Sequence, residues 1–97
     1  MTTITKEKAA QIIDLFGPCT VVNECMEVDE VVQGIENHPE GVLDWIRLKI
    51  EIEQIHLERD YSYLGDEFPE AHAKAIAEAK EMISGIESRF KAAGYEI

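Results

Sequence analysis

Between Lys8 and Arg47 the chain has no lysine and no arginine. The interval instead holds Asp14, Glu24, Glu27, Asp29, Glu30, Glu36, Glu40 and Asp44, with His38 as its one imidazole. A field of that sign repels nucleic acid and anionic membrane and draws in basic surfaces, which excludes direct nucleic-acid and membrane binding from the expected functions. Long apolar runs are missing too. Nothing approaches the roughly 18 consecutive apolar residues of a membrane span, and the opening MTTITKEKAA is polar where a signal peptide carries its apolar stretch, so the expected location is the cytoplasm. Cysteine is scarce. Cys19 and Cys25 are spaced unlike any common zinc knuckle, and a reducing compartment keeps such thiols free. No glycine-rich phosphate loop is present, and no motif around Cys19, Cys25, Ser62, Ser84 or Ser88 holds a nucleophile on a strained turn. These absences point to a non-catalytic protein without a cofactor.

What the chain has is 97 residues, 20 acids against 9 Lys and Arg for a net charge of −11, and a hydrophobic fraction of 45%. That fraction, without low-complexity runs, indicates a folded globule rather than disorder. Length indicates a single acidic helical domain over 1–97, burying only about 60–70% of its unfolded surface. An oligomer interface would help so small a core.

Hydrophobic periodicity sets the fold class as all-α, a small bundle of four to five helices around a central two-faced helix at about 42–59. At roughly 100° per residue this helix carries two apolar stripes. Val42, Leu43, Ile46, Ile50 and Leu57 form one; Trp45, Leu48, Ile52 and Ile55 form the other, nearly opposite. Two thirds of its circumference is thus expected to be packed, by the first and last helices or by a partner chain, with the acidic middle segment over one end.

Thr5 is placed to cap a first helix from about Lys6 to Phe16, with Ala9, Ile12, Ile13 and Phe16 inward and Gly17-Pro18 as the stop. Val21 and Val22 suit a strand, but no second strand pairs with them, so residues 19–37 read as two short helices. Thr20 or Cys19 opens the first, and Asp29 caps the second through Glu36. His38-Pro39 marks the entry to the central helix, with proline in its first helical position. After a linker at 61–65, Asp66 opens the last helix. Its seam is Ile76, Ala79, Ile83, Ile86, Phe90 and Ala93, and Gly94 closes it with Tyr95 folded back on Phe90.

Two constellations bear on function. Glu53 and His56 form the E-x-x-H spacing that di-iron bundles use, but the second pair and the extra carboxylates are missing, so the expectation is no bound metal and a local network of Lys49, Glu53 and His56. The second constellation is acidic. Glu24, Glu27 and Glu30 are expected to rise along one helical face, with Asp29, Glu36 and Glu40 around them. Tyr61 and Tyr63 supply aromatic anchors, since aromatics give desolvated contact while carboxylates steer. Carboxylates every helical turn imitate a phosphate backbone. In composition alone the chain is similar to phage-encoded inhibitors of host defence, anti-CRISPR proteins among them, and to bacterial immunity proteins. The expected function is binding to a basic surface of a partner protein, one that normally holds nucleic acid. The alternative is a structural or regulatory homo-oligomer, a homodimer through the two-striped helix; a metal-binding bundle ranks third.

Overall fold

The computed structural model describes residues 4–60 and 67–97. Within them lie five helices and no strand: α1 (Lys6–Phe16), α2 (Val21–Cys25), α3 (Val28–Glu36), α4 (Val42–Asp60) and α5 (Pro69–Ala92). The all-α bundle read from periodicity is what forms. The valines at 21 and 22 open a helix, because Thr20 Oγ1 accepts the Asn23 N–H at 3.1 Å and so starts the turn.

Helix α1 begins where Thr5 Oγ1 accepts the Lys8 N–H at 3.1 Å. Ala9, Ile12 and Phe16 are fully buried and Ile13 is half-buried. The helix ends at Gly17, whose φ of 77° no side chain adopts cheaply. Its ψ of 174° sends the chain away extended rather than through a left-handed turn. A methyl group at 17 would also meet Arg89 Nη2 at 2.8 Å.

Three boundaries differ from the sequence reading. Glu27, not Asp29, is the N-cap of α3, and Glu30 reaches back so that its Oε1 accepts the Glu27 N–H at 3.2 Å. A glutamate three residues after the cap does this work, leaving Asp29 inside the first turn. Pro39 sits in a turn before α4 rather than on its first turn: the Gly41 N–H donates to His38 O, and Gly41 O receives the first α4 bond, from Trp45. Helix α5 starts at Pro69, after Phe68 as N-cap. Proline suits that position because its missing N–H would find no partner there. The expected opener Asp66 lies outside the described residues, as does the linker at 61–65.

The C-terminus of α5 follows the expected cap. The Tyr95 N–H donates to Phe90 O at 3.0 Å and the Gly94 N–H to Lys91 O at 3.1 Å, with Gly94 at φ 98°. This is the Schellman pairing. It folds the Tyr95 ring edge-on to Phe90, centroids 5.5 Å apart, while Phe90 in turn meets Phe16 edge-on at 5.0 Å. Burial pushes the Tyr95 phenol above its usual ionisation range near 10. A raised folded pKa contributes stability that is complete below the unfolded value and is lost as pH rises through the folded one. We therefore expect the urea midpoint to fall between pH 9 and pH 11 more steeply in the wild type than in Tyr95→Phe; equal falls in the two proteins would contradict this.

One apolar cluster joins all five helices: Ile12 and Phe16 from α1, Val22 from α2, Val31 and Ile35 from α3, Trp45, Ile46 and Ile50 from α4, and Ile83, Ile86 and Phe90 from α5. Its assembly is not the expected one. Helix α4 lies along α5 and touches α3, whereas α1 packs on α2, α3 and α5. The α4–α5 pair is antiparallel, since Arg47 near the start of α4 donates to Glu96 O beyond the end of α5 at 2.7 Å. Helix α3 meets α4 through Gly34, where a Cβ would stand 2.8 Å from Trp45 Nε1, so the missing side chain is what lets the indole approach α3 this closely. Of the seam on α5, Ala79, Ile83, Ile86 and Phe90 are buried, Ile76 is half-buried and Ala93 is exposed. Residues 69–78 contribute nothing fully buried, and the molecule is elongated, 47 × 23 × 22 Å.

Candidate acidic interface

The acidic segment is built on the two short helices, and the break between them decides its geometry. Helix α2 stops at Cys25 and α3 starts at Val28, with Met26 extended between them at φ −101°, ψ 137°. Glu24, Glu27 and Glu30 therefore do not rise along one helical face, contrary to the sequence reading. Glu24 belongs to α2, where its Oε1 accepts the Cys19 N–H at 3.1 Å and so steadies a residue held at φ 69°. Glu27 is a cap, and Glu30 is turned back onto it.

The continuous face is instead the water side of α3. Val31 and Ile35 are buried and Val28 and Val32 half-buried, so residues at i, i+4 and i+7 on the other side, Asp29, Gln33 and Glu36, point outward together with Glu30 beside them. Asp29, Glu30 and Gln33 are exposed, and Glu36 is half-buried. Glu40 follows as an exposed residue in the turn before α4. Among the described residues one cation is paired on this face: Lys6 Nζ lies 3.3 Å from Asp29 Oδ1, with both side chains about three-quarters exposed. An ion pair so open to water is worth about 0–1 kcal/mol, and it leaves most of the negative field standing. The sequence signalled the acids but not this partner, which comes from the start of α1. Asp44, at the start of α4, is held by Arg47 at 3.0 Å. Tyr61 and Tyr63, named as aromatic anchors, lie outside the described residues.

The E-x-x-H pair comes apart. Glu53 is only 3% exposed, and its Oε1 accepts the Val21 N–H at 2.7 Å and the Val22 N–H at 3.3 Å. It is the counter-charge for the positive end of α2, placed from a helix more than thirty residues away. His56 is exposed, and Lys49 has its ammonium 5.5 Å from the Trp45 ring centroid. The expected network of Lys49, Glu53 and His56 is therefore replaced by separate contacts. Among the described residues no three His, Cys, Asp or Glu side chains converge as a ligand set. Both cysteines are free and exposed.

Arg89 does for α1 what Glu53 does for α2. Its Nε donates to Leu15 O and its Nη2 to Phe16 O, each at 2.8 Å, closing carbonyls that the helix end leaves open. The α4–α5 pair thus clamps the Gly17–Thr20 connection with one anion and one cation, and this fixes where α2 and α3 hold their acids. No helix among the described residues is long and apolar enough to cross a membrane. No protein-family model, curated protein or solved structure matches the chain.

Proposed function

We propose that the protein is a non-catalytic binder of a basic protein surface, of the kind that nucleic-acid-binding proteins present, and that it modulates or inhibits its partner by occupying that surface. The observation that supports this reading is the water face of α3. There Asp29, Glu30 and Glu36 stand with Glu40 following in the turn before α4, placed by the helix and by the Glu30 contact to Glu27 N, with Lys6 3.3 Å from Asp29 as the ion pair found on this face among the described residues. Acids ordered before the encounter cost less to engage than floppy ones. A solubilising surface would spread its charge, as α5 does by interleaving Glu70, Glu78, Glu81 and Glu87 with Lys74, Lys80, Arg89 and Lys91.

Affinity capture from a cell lysate, with mass spectrometry at low and high salt, tests the reading. Retained proteins should be basic and should elute as salt rises, because steering between opposite fields weakens with ionic strength. Reversal of Asp29, Glu36 and Glu40 to Lys should reduce retention about tenfold or more, given roughly 0.2–1 kcal/mol for each exposed pair, doubled by reversal. Reversal of Glu78, Glu81 and Glu87 should leave it nearly unchanged. Equal losses from the two triple variants, with circular dichroism intact, would contradict the location, and a retained partner with an acidic or apolar surface would contradict the charge argument.

A further inference from the structure

Both free thiols stand at the ends of the shortest of the five helices. Cys19 immediately precedes Thr20, the N-cap of α2, and Cys25 is the last residue of that helix; both are exposed. Cys19 is also the one non-glycine residue at positive φ among the described residues, at 69°, a left-handed conformation that its Cβ resists. Contacts around it hold that conformation. Glu24 Oε1 accepts the Cys19 N–H at 3.1 Å, and Thr20 Oγ1 donates to Gly17 O at 2.9 Å. Helix α2 has five residues, too few to persist alone. It depends on Glu53 as acceptor for its first N–H groups, on Asn23 Nδ2 donating to Ile13 O at 3.0 Å, and on the burial of Val22.

The folded helix keeps the two thiols apart. Over Thr20 to Cys25 the rise is about 7.5 Å, and Cys25 lies about 100° further round than Glu24, the residue that reaches Cys19. A disulfide needs Cα atoms within about 7 Å of each other. From this we infer that α2 is a redox-sensitive element: a Cys19–Cys25 disulfide and the folded helix exclude each other, so oxidation unwinds α2 and reduction restores it. The oxidant is a small-molecule disulfide such as oxidised glutathione. One protein thiolate attacks it, breaking its sulfur–sulfur bond and releasing one glutathione; the other protein thiolate attacks the mixed disulfide, closes the Cys19–Cys25 bond and releases the second. Two protein thiols are oxidised, one glutathione disulfide is reduced, and the two thiol protons pass to the departing glutathiones. Unwinding takes Val21 and Val22 off Glu53 and lets Cys19 leave its left-handed conformation. It reaches α3 directly, because only Met26 and the Glu27 cap separate Cys25 from Val28. A bridge that must be formed against a folded helix is labile, as regulatory disulfides are. The inference rests on the thiols and on α2, and it stands whether or not the acids of α3 bind a basic partner.

The test is to hold the full chain in glutathione buffers of graded redox poise, following intact mass, free thiols and amide hydrogen exchange. Under oxidising poise the expected product is a monomer that has lost two hydrogens and both free thiols. Its amides from Cys19 to Glu27 should exchange at least about tenfold faster while α4 and α5 keep their protection, and dithiothreitol should reverse both changes. Cys19→Ser and Cys25→Ser should each keep slow exchange over α2 under the same oxidant. Glu53→Gln, which weakens the anchor of α2, should raise the bridged fraction severalfold at a fixed poise, since whatever loosens the helix favours the bridge. A bridge that forms with exchange over α2 unchanged, glutathione adducts or intermolecular disulfides in place of the bridge, or a bridged fraction indifferent to Glu53→Gln would each overturn the proposal.

Discussion

Replacing Phe90 by alanine is expected to cost about 3–5 kcal/mol, the range for truncating a buried aromatic whose site cannot collapse around the gap. Phe90 is fully buried and stands between two rings, edge-on to Phe16 on one side and to Tyr95 on the other. Its loss removes the aromatic contact between α1 and α5 and the one that seats the C-terminal cap. Edge-to-face pairs add about 0.5–1.5 kcal/mol beyond their area, so two are forfeited together. In a domain of this size 1 kcal/mol moves the melting temperature by roughly 4–8 °C. Thermal unfolding of Phe90→Ala should therefore shift down by about 12 °C at the least. Phe90→Leu, which keeps most of the volume, should lose less than half as much. A drop under about 1 kcal/mol for the alanine variant would mean that the cluster of Phe16, Phe90 and Tyr95 does not hold α1 to α5.

The second large effect is electrostatic. Glu53→Ala strips the Val21 and Val22 N–H groups of their acceptor and opens space in a buried place; hydrogen bonds to a charged group are worth about 1.5–3 kcal/mol each. Val21 is exposed and its N–H turns to water in the variant, whereas Val22 is 1% exposed and its N–H does not. The net expectation is a loss of about 2–3 kcal/mol. Glu53→Gln keeps an acceptor oxygen of the same reach and should lose about half of that. The loss should also be local first. Amide hydrogen exchange ought to speed up over α2 and the Gly17–Thr20 connection before it does over α5, since α2 has five residues and cannot persist without an outside partner. Uniform acceleration over the whole chain, or a stability equal to wild type, would show that the carboxylate is a passenger.

These two side chains mark what the sequence reveals and what it hides. The seam that ends in Phe90 was readable because Ile83, Ile86 and Phe90 recur at helical spacing and Gly94 carries its own stop signal; both are local codes. Thr5, Thr20 and Gly17-Pro18 were readable for the same reason, each acting within four residues of itself. Glu53 was not. In the sequence it stands in a charged row of α4 beside His56, and its real partners, the Val21 and Val22 N–H groups, arrive only when two helices dock. Arg89 resembles any basic residue near the end of a helix until its guanidinium is found on Leu15 O and Phe16 O. The cap of α3 lies two residues before Asp29, the better intrinsic cap, because the Glu30 contact to Glu27 N selects the earlier start.

The acidic segment was legible as a run of residues but not as a surface. Its counted charges gave the sign of the field. The break at Met26 and the burial of Val31 and Ile35 decided which carboxylates stand together, Asp29, Glu30 and Glu36 rather than Glu24, Glu27 and Glu30. The two stripes of α4 were likewise visible in the periodicity, but not how far α3 would roof the second. Helix α3 is nine residues long and reaches no further along that stripe than Trp45, which leaves Leu48 and Ile55 open.

The most direct test of the acidic face is a titration of the isotopically labelled protein with an oligo-arginine peptide at low salt, followed by amide chemical shifts in an NMR correlation spectrum. If the water side of α3 is the binding surface, the largest shifts fall between Asp29 and Glu40, saturate together, and disappear when salt is raised to several times the physiological level. Shifts spread evenly over the acids of α5, or concentrated there and absent from α3, would contradict it.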